Sequence, residues 1–250
     1  KRQPEHLPLR HGFNEFFGLP YSNDMWPFHP QPGHPYRALP LYDNERVVEY
    51  NPTVNHMTTR ITERATAFID KHKNEPFLLY VPYTQPHVPL GVSDKFKGKS
   101  GEGLYADVIM EIDWSVGEIM KTLKENGLDD HTLVLFTSDN GPWLSYGNHG
   151  GSTGGLREGK GTTFEGGQRV PFIARMPGRI PAGKVSEQFL SALDITPTIV
   201  ELTGSQMPRM NEFDGENVWM TLTGQAQSHK PFYFLYDGKV EAVRDGKWKC

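Results

Sequence analysis

Residues 104–127 read LYADVIMEIDWSVGEIMKTLKENG, and after a short LDDH link residues 132–140 read TLVLFTSDN; upstream, residues 76–83 read PFLLYVPY. These three stretches decide the fold class. In the first, Leu104, Val108, Ile112, Val116, Ile119 and Leu123 recur at spacings of three and four, which places them on one face of a helix, and Gly127 stands where a left-handed C-terminal residue belongs. The other two are continuous apolar runs of strand length, the pattern expected when both faces of a strand are covered. Strand, helix and strand in that order predict a right-handed parallel crossover, and so an α/β domain with a mostly parallel central sheet flanked by helices.

Working outward, Val54, Met57, Ile61, Ala65 and Phe68 predict an earlier helix that ends in the polar KHKNE. Residues 170–177, VPFIARMP, form a third candidate strand. Thr196 as N-cap, Pro197 at the first helical position and Gly204 at the far end frame a short helix through TIVEL. Beyond it, FYFLYDGKVEAVRDGKWK carries strand residues broken by two Asp-Gly turns, the start of a small antiparallel sheet. The predicted division is therefore an α/β portion over 1–204 and a smaller antiparallel portion from 205 to 250. Residues 1–52, with the Pro/His stretch PFHPQPGHPY, show no sustained period and predict irregular surface.

Composition narrows the function classes. In 250 residues, 26 Lys+Arg stand against 30 Asp+Glu, a formal charge of −4, so no basic excess draws the chain to nucleic acid or to an anionic membrane. Apolar residues make up 36%, enough for a sizeable core, and no apolar run approaches the roughly 18 residues of a membrane span. The single cysteine, Cys250, excludes an intrachain disulfide and a cysteine-based metal site within these residues. Gly and Pro number 26 and 20, which predicts long ordered loops, and loops of that kind often carry function. The chain opens and closes inside patterned sequence and is read as part of a longer protein.

In open α/β sheets, ligands sit beyond the carboxyl ends of the strands. After LVLF come Asp139 and Asn140, one anionic and one neutral oxygen donor, suited to a hard cation; an Asx turn capping the strand explains the same pair. After FLLYVPY comes TQPHVP, where Pro86 and Pro89 restrict the backbone around His87. This histidine is a candidate general acid or anion contact, and equally a packed loop residue. Residues 147–167 hold nine glycines in 21 positions, with Arg157 and Lys160 as charges for an anion. The G-x4-G-K spacing from Gly154 to Lys160 is not a P-loop: Gly161 replaces the magnesium-binding hydroxyl, and TTFEGG does not read as a helix start. Asp113, on the predicted helix, is read as a structural partner. His29 and His34 lie in a proline-rich loop without fixed chelating geometry.

Taken in order, HLPLRHGFNEFFGLPYSNDMW, TQPHVPL, FTSDNGP, LREGKGTTFEGGQRVPFIARMPG, LDITPTIVELTG and AVRDGKWK resemble the arylsulfatase-type sulfatases of the alkaline phosphatase superfamily, near arylsulfatase A and N-acetylgalactosamine-6-sulfatase. SDNGP followed by GKGTTFEGG is the specific part. The resemblance implies hydrolysis of sulfate esters of sugars or aryl alcohols. It implies a calcium ion held partly by Asp139 and Asn140, sulfate contact by Lys160, His87 near the leaving oxygen, and His149 lining the substrate pocket. It also implies an extracytoplasmic location.

The family nucleophile, a formylglycine made by a formylglycine-generating enzyme from a C/S-x-P-x-R box, has no counterpart in these residues; Ser205 to Arg209, SQMPR, puts proline one place late. The paired aspartates that complete the metal site and the G-K-W-H box are absent too, so these 250 residues by themselves are expected to be inactive. Two other readings share the sequence features. One is a phosphatase or phosphonate monoester hydrolase of the same superfamily; the other is an inactive sulfated-glycan-binding relic.

Overall fold

The computed structural model describes residues 4–29, 33, 36–206 and 213–250. His34, and Met207 to Arg209 of the SQMPR stretch, lie outside the described residues. The chain divides into two units, one made of residues 1–128 with 145–151 and the other of 129–144 with 152–250.

The first unit is built on two helices and a small sheet. Strands β1 (Phe17–Gly18), β2 (Pro40–Asp43) and β3 (Arg46–Tyr50) pair antiparallel in sequence order, with a bulge between Leu41 and Tyr42. Helix α1 (Met57–His72) follows a single 3-10 turn, and α2 (Leu104–Glu125) runs the length its periodicity predicts. Gly127 takes φ 70°, and Leu128 N–H closes back to the Leu123 carbonyl at 2.9 Å, so the helix stops where a residue without a Cβ permits it.

Leu39, Leu41, Met57, Ile69 and Val108 are fully buried, each side chain contributing about 1.5–3 kcal/mol by leaving water. The α1–α2 seam is nevertheless partly polar. Buried Glu111 accepts the Thr59 hydroxyl and the Ser93 N–H, both at 3.0 Å, and Ser115 is bonded to Thr62 and, at 2.7 Å, to the Tyr83 hydroxyl. Each of these named groups has a partner, which keeps a buried carboxylate tolerable.

The second unit holds β4 (Val134–Thr137), α3 (Glu165–Gln168), β5 (Phe172–Arg175), α4 (Ile195–Thr203), α5 (Trp219–Leu222) and the sheet β6 (Phe232–Tyr236), β7 (Lys239–Asp245), β8 (Trp248–Lys249). The terminal sheet is antiparallel, as the two Asp-Gly turns predict, with Asp237 and Gly238 both at positive φ. Gly204 ends α4 in the left-handed region.

Four expectations are corrected. Residues 1–52 are not wholly irregular surface: they carry β1, β2 and β3, with Leu39 and Leu41 fully buried, and strands this short leave no sustained period to read. TTFEGG does lead into a helix, the four-residue α3 that begins at Glu165. The N-terminal cap of the α4 region is not Thr196. Ser191 and Asp194 form a capping box one turn earlier, with Ser191 N–H donating to Asp194 at 2.7 Å, and Pro197 falls inside the first turn. The parallel crossover is also not formed among the described residues. β4 pairs antiparallel with β5, and residues 76–83 carry no ladder; Leu78 and Tyr80 are 59% and 70% exposed. An apolar run specifies a segment competent to be a strand, but a ladder also needs a neighbouring backbone, and no described segment supplies one.

Candidate active-site loops

In the second unit the strand end and the glycine run are wound into one cluster by backbone bonds. Gly141 N–H donates to the Gly167 carbonyl and Lys160 N–H to the Pro142 carbonyl, each at 2.9 Å, while Gly166 N–H reaches the Arg157 carbonyl at 2.8 Å. The glycines are required by contact distance. A Cβ on Gly141 would stand 1.8 Å from the Gly166 carbonyl oxygen, and one on Gly159 would stand 2.5 Å from the Pro142 carbonyl oxygen. Asp139, exposed, and Asn140, half-buried, therefore share a loop cluster with Lys160. Asn140 uses its amide nitrogen on the Gly141 carbonyl at 2.9 Å.

The Lys160 ammonium lies 4.9 Å from the centre of the Trp143 ring, and the Arg157 guanidinium stacks 3.9 Å over Phe164. Trp143 was not singled out from the sequence, although it directly follows the SDNGP box. Farther off in sequence, Thr163 is held on both sides by the terminal sheet. Its hydroxyl donates to Glu241 at 3.1 Å and its carbonyl accepts Lys249 Nζ at 2.5 Å.

His87 and His149 belong to the first unit. His87 is half-buried in a loop with cis peptide bonds before Pro86 and Pro89. Its Nδ1 donates to the Val88 carbonyl at 2.6 Å, which fixes that nitrogen as the donor of the ring. The loop is gripped by two buried amides that sequence reading did not single out. Asn23 Nδ2 and Gln85 Nε2 both donate to the Pro89 carbonyl, at 3.3 and 3.2 Å, and Gln85 Oε1 accepts Gly91 N–H at 3.1 Å. Gly91 has no room for a Cβ, which would sit 2.6 Å from the Val54 backbone. His149 is exposed and follows a kink at Gly147. Two residues on, Gly151 passes so close to Tyr105 that a Cβ would stand 2.6 Å from its hydroxyl, and burial raises the Tyr105 phenol above its usual range.

Asp139 and Asn140 fit calcium in kind, since both offer hard oxygen, but two donors are a minority of the six to eight that the ion takes. Among the described residues no group of three or more His, Cys, Asp or Glu is placed to hold a metal.

Backbone-wound SDNGP and GKGTTFEGG loops agree with the comparison to known proteins. A family model described as Sulfatase matches residues 2–205. This chain belongs to the sulfatase family. It is 37% identical to arylsulfatase A of Bos taurus over 98% of the chain and 52% of that protein. It is also 37% identical to N-acetylgalactosamine-6-sulfatase of Canis lupus familiaris, over 99% of the chain and 49% of that protein. The crystal structure of the PsFucS1 sulfatase from Pseudoalteromonas sp. superposes with a TM-score of 0.87 at 26% identity, covering 97% of this chain and 54% of that one. The chain thus has the α/β fold of the sulfatases and spans about half the length of the curated relatives it matches.

Proposed function

We propose that this sulfatase-family chain supplies the sulfate-contacting loop and part of the metal site of a sulfuric ester hydrolase acting on sulfate esters of sugars or aryl alcohols. The observation that carries the reading is the single loop cluster holding Asp139, Asn140 and Lys160, in a chain whose relatives are named for aryl and sugar sulfates.

In this reading Lys160 Nζ neutralises the sulfate oxygens, and Trp143 confines the direction of its charge. Protonated His87 gives its Nε2 proton to the ester oxygen as the sulfur–oxygen bond breaks, so that the product leaves as an alcohol rather than an alkoxide. The Val88 carbonyl, by fixing Nδ1 as a donor, aims that chemistry through Nε2. His149 lines the substrate pocket. Asp139 and Asn140 hold part of the calcium shell, and the bound ion supplies positive charge against the sulfate. The nucleophile is a formylglycine from a C/S-x-P-x-R box, which these residues do not contain, so the 250 residues by themselves turn over no substrate.

The division at 204 and 205, the formylglycine-generating enzyme as a partner and an extracytoplasmic location belong to the same proposal. The division is supported by β6–β8 forming a sheet of their own. Among the described residues no helix is long and apolar enough to cross a membrane.

The test uses the complete protein. Asp139→Ala and Lys160→Ala are each expected to lower sulfatase turnover by at least about 100-fold, the scale of a main electrostatic stabiliser. Near-wild-type rates in both would sink the assignment. Rates on matched aryl sulfate and aryl phosphate separate the sulfatase from a phosphatase or phosphonate monoester hydrolase.

A further inference from the structure

The loop that carries Lys160 is tied to the terminal sheet by side chains that lie 78 to 86 residues away in sequence. Lys249, on β8, donates to the Thr163 carbonyl at 2.5 Å and to Glu165 Oε1 at 3.0 Å, and its ammonium lies 3.8 Å from the centre of the Phe234 ring on β6. Glu241, on β7, accepts the Thr163 hydroxyl at 3.1 Å. Thr163 is thus held by both its backbone and its side chain, while Glu165 opens α3 with its carboxylate on the same lysine.

The geometry selects for a cationic donor. One ammonium serves a carbonyl, a carboxylate and an aromatic face at once, with only 19% of the Lys249 side chain exposed. Within the loop, Thr162 folds back onto the Gly159 carbonyl at 2.9 Å, and Gln168 Nε2 reaches the Thr162 carbonyl at 2.8 Å. The segment from 159 to 168 therefore has few internal freedoms left once Thr163 and Glu165 are fixed. Gly161, between Lys160 and the anchored threonine, takes φ 88°, a conformation that residues bearing a side chain rarely adopt.

We propose that Lys249 and Glu241 are positioning residues for Lys160: the terminal sheet sets where the sulfate-contacting ammonium stands. This rests on the reading of Lys160 as the sulfate contact. Neither residue is asked to touch substrate, because the Lys249 ammonium is committed to Thr163 and Glu165.

The test is a double-mutant cycle in the complete protein with para-nitrophenyl sulfate as substrate. Lys249→Met is expected to lower kcat/KM by about 10- to 100-fold, the range set by a misplacement near 1 Å. Lys249→Arg is expected to recover a large part of that loss. Glu241→Ala, on an exposed residue with little bearing on folding, should cause a smaller loss in the same direction. Because the effect acts through Lys160, Lys160→Ala combined with Lys249→Met should lose no more than Lys160→Ala alone.

Additive losses, or a Lys249→Met protein with a lowered Tm but wild-type kcat and KM, overturn the proposal. A loss in Lys160→Ala with none in Lys249→Met or Glu241→Ala overturns the clamp and leaves the sulfate reading standing. A wild-type rate in Lys160→Ala overturns the sulfate reading, and the clamp falls with it.

Discussion

The loop around Lys160 and the loop around His87 reach rigidity by opposite means. The first is wound backbone against backbone, and its glycines stand where a Cβ would collide with main-chain oxygen at Gly141, Gly159, Gly166 and Gly167. The second has prolines in its chain and is held by two side-chain amides on a single carbonyl. A site of the first kind is broken by adding atoms, and a site of the second kind by removing donors.

The largest expected effect breaks the glycine-built loop. Gly141→Ala forces a methyl group into the Gly166 carbonyl, a main-chain atom that cannot rotate away. It is expected to cost about 3 kcal/mol or more, at or above the usual range for overpacking, and the check is denaturant unfolding of the second unit's probes. Gln85→Glu addresses the proline loop with no change in volume. It keeps the acceptor for Gly91 N–H but turns a carboxylate oxygen toward the Pro89 carbonyl, with an expected cost of about 1–3 kcal/mol and a fall in kcat larger than the change in KM. Gln85→Ala should resemble it, because Gly91 N–H is then left buried and unpaired.

The helices of the first unit were legible in the sequence because their information is local, whereas the β1–β3 sheet within residues 1–52 was not. Val108, Ile112 and Leu123 report the buried face of α2 through spacing alone, and Gly127 reports its end. The Asp-Gly turns of the terminal sheet are local in the same sense. Pairing partners are not. The run from 76 to 83 and the LVLF strand look alike as strings, yet only the second has a ladder, and that ladder runs antiparallel to β5. The site divides along the same line. Asp139, Lys160 and His87 sit in recognisable boxes, whereas Asn23, 66 residues from its partner carbonyl, and Lys249, 86 residues from its own, leave no local trace of the contacts they make.

The smallest effect sharpens the comparison by testing an anchor that lies in neither loop. His72, at the end of α1, is bonded to Glu15 and Glu75; hydrogen bonds to these carboxylates raise its imidazole above the ordinary range, while Lys71 and His72 together lower Glu15. A raised imidazole contributes stability that is fully present below its unfolded pKa and is lost as pH rises through the folded value. The Tm of the first unit is therefore expected to fall slightly as pH rises from the ordinary histidine range into the mildly alkaline, and His72→Gln should flatten that slope. An unchanged slope in His72→Gln would assign the pH dependence elsewhere.

The ladderless segment from 76 to 83 also governs how the chain behaves in a test tube. Leu78 and Tyr80 present apolar surface on a segment without a ladder, and the second unit presents Ile173 on β5, a strand paired on one side with β4. Unpaired extended backbone with apolar side chains is a template for joining another copy edge to edge. These faces are therefore expected to set a ceiling on the concentration at which the 250 residues stay monomeric, which light scattering over a dilution series would check. A Lys at position 78 or 80 is the most direct way to raise that ceiling without touching Lys160 or His87.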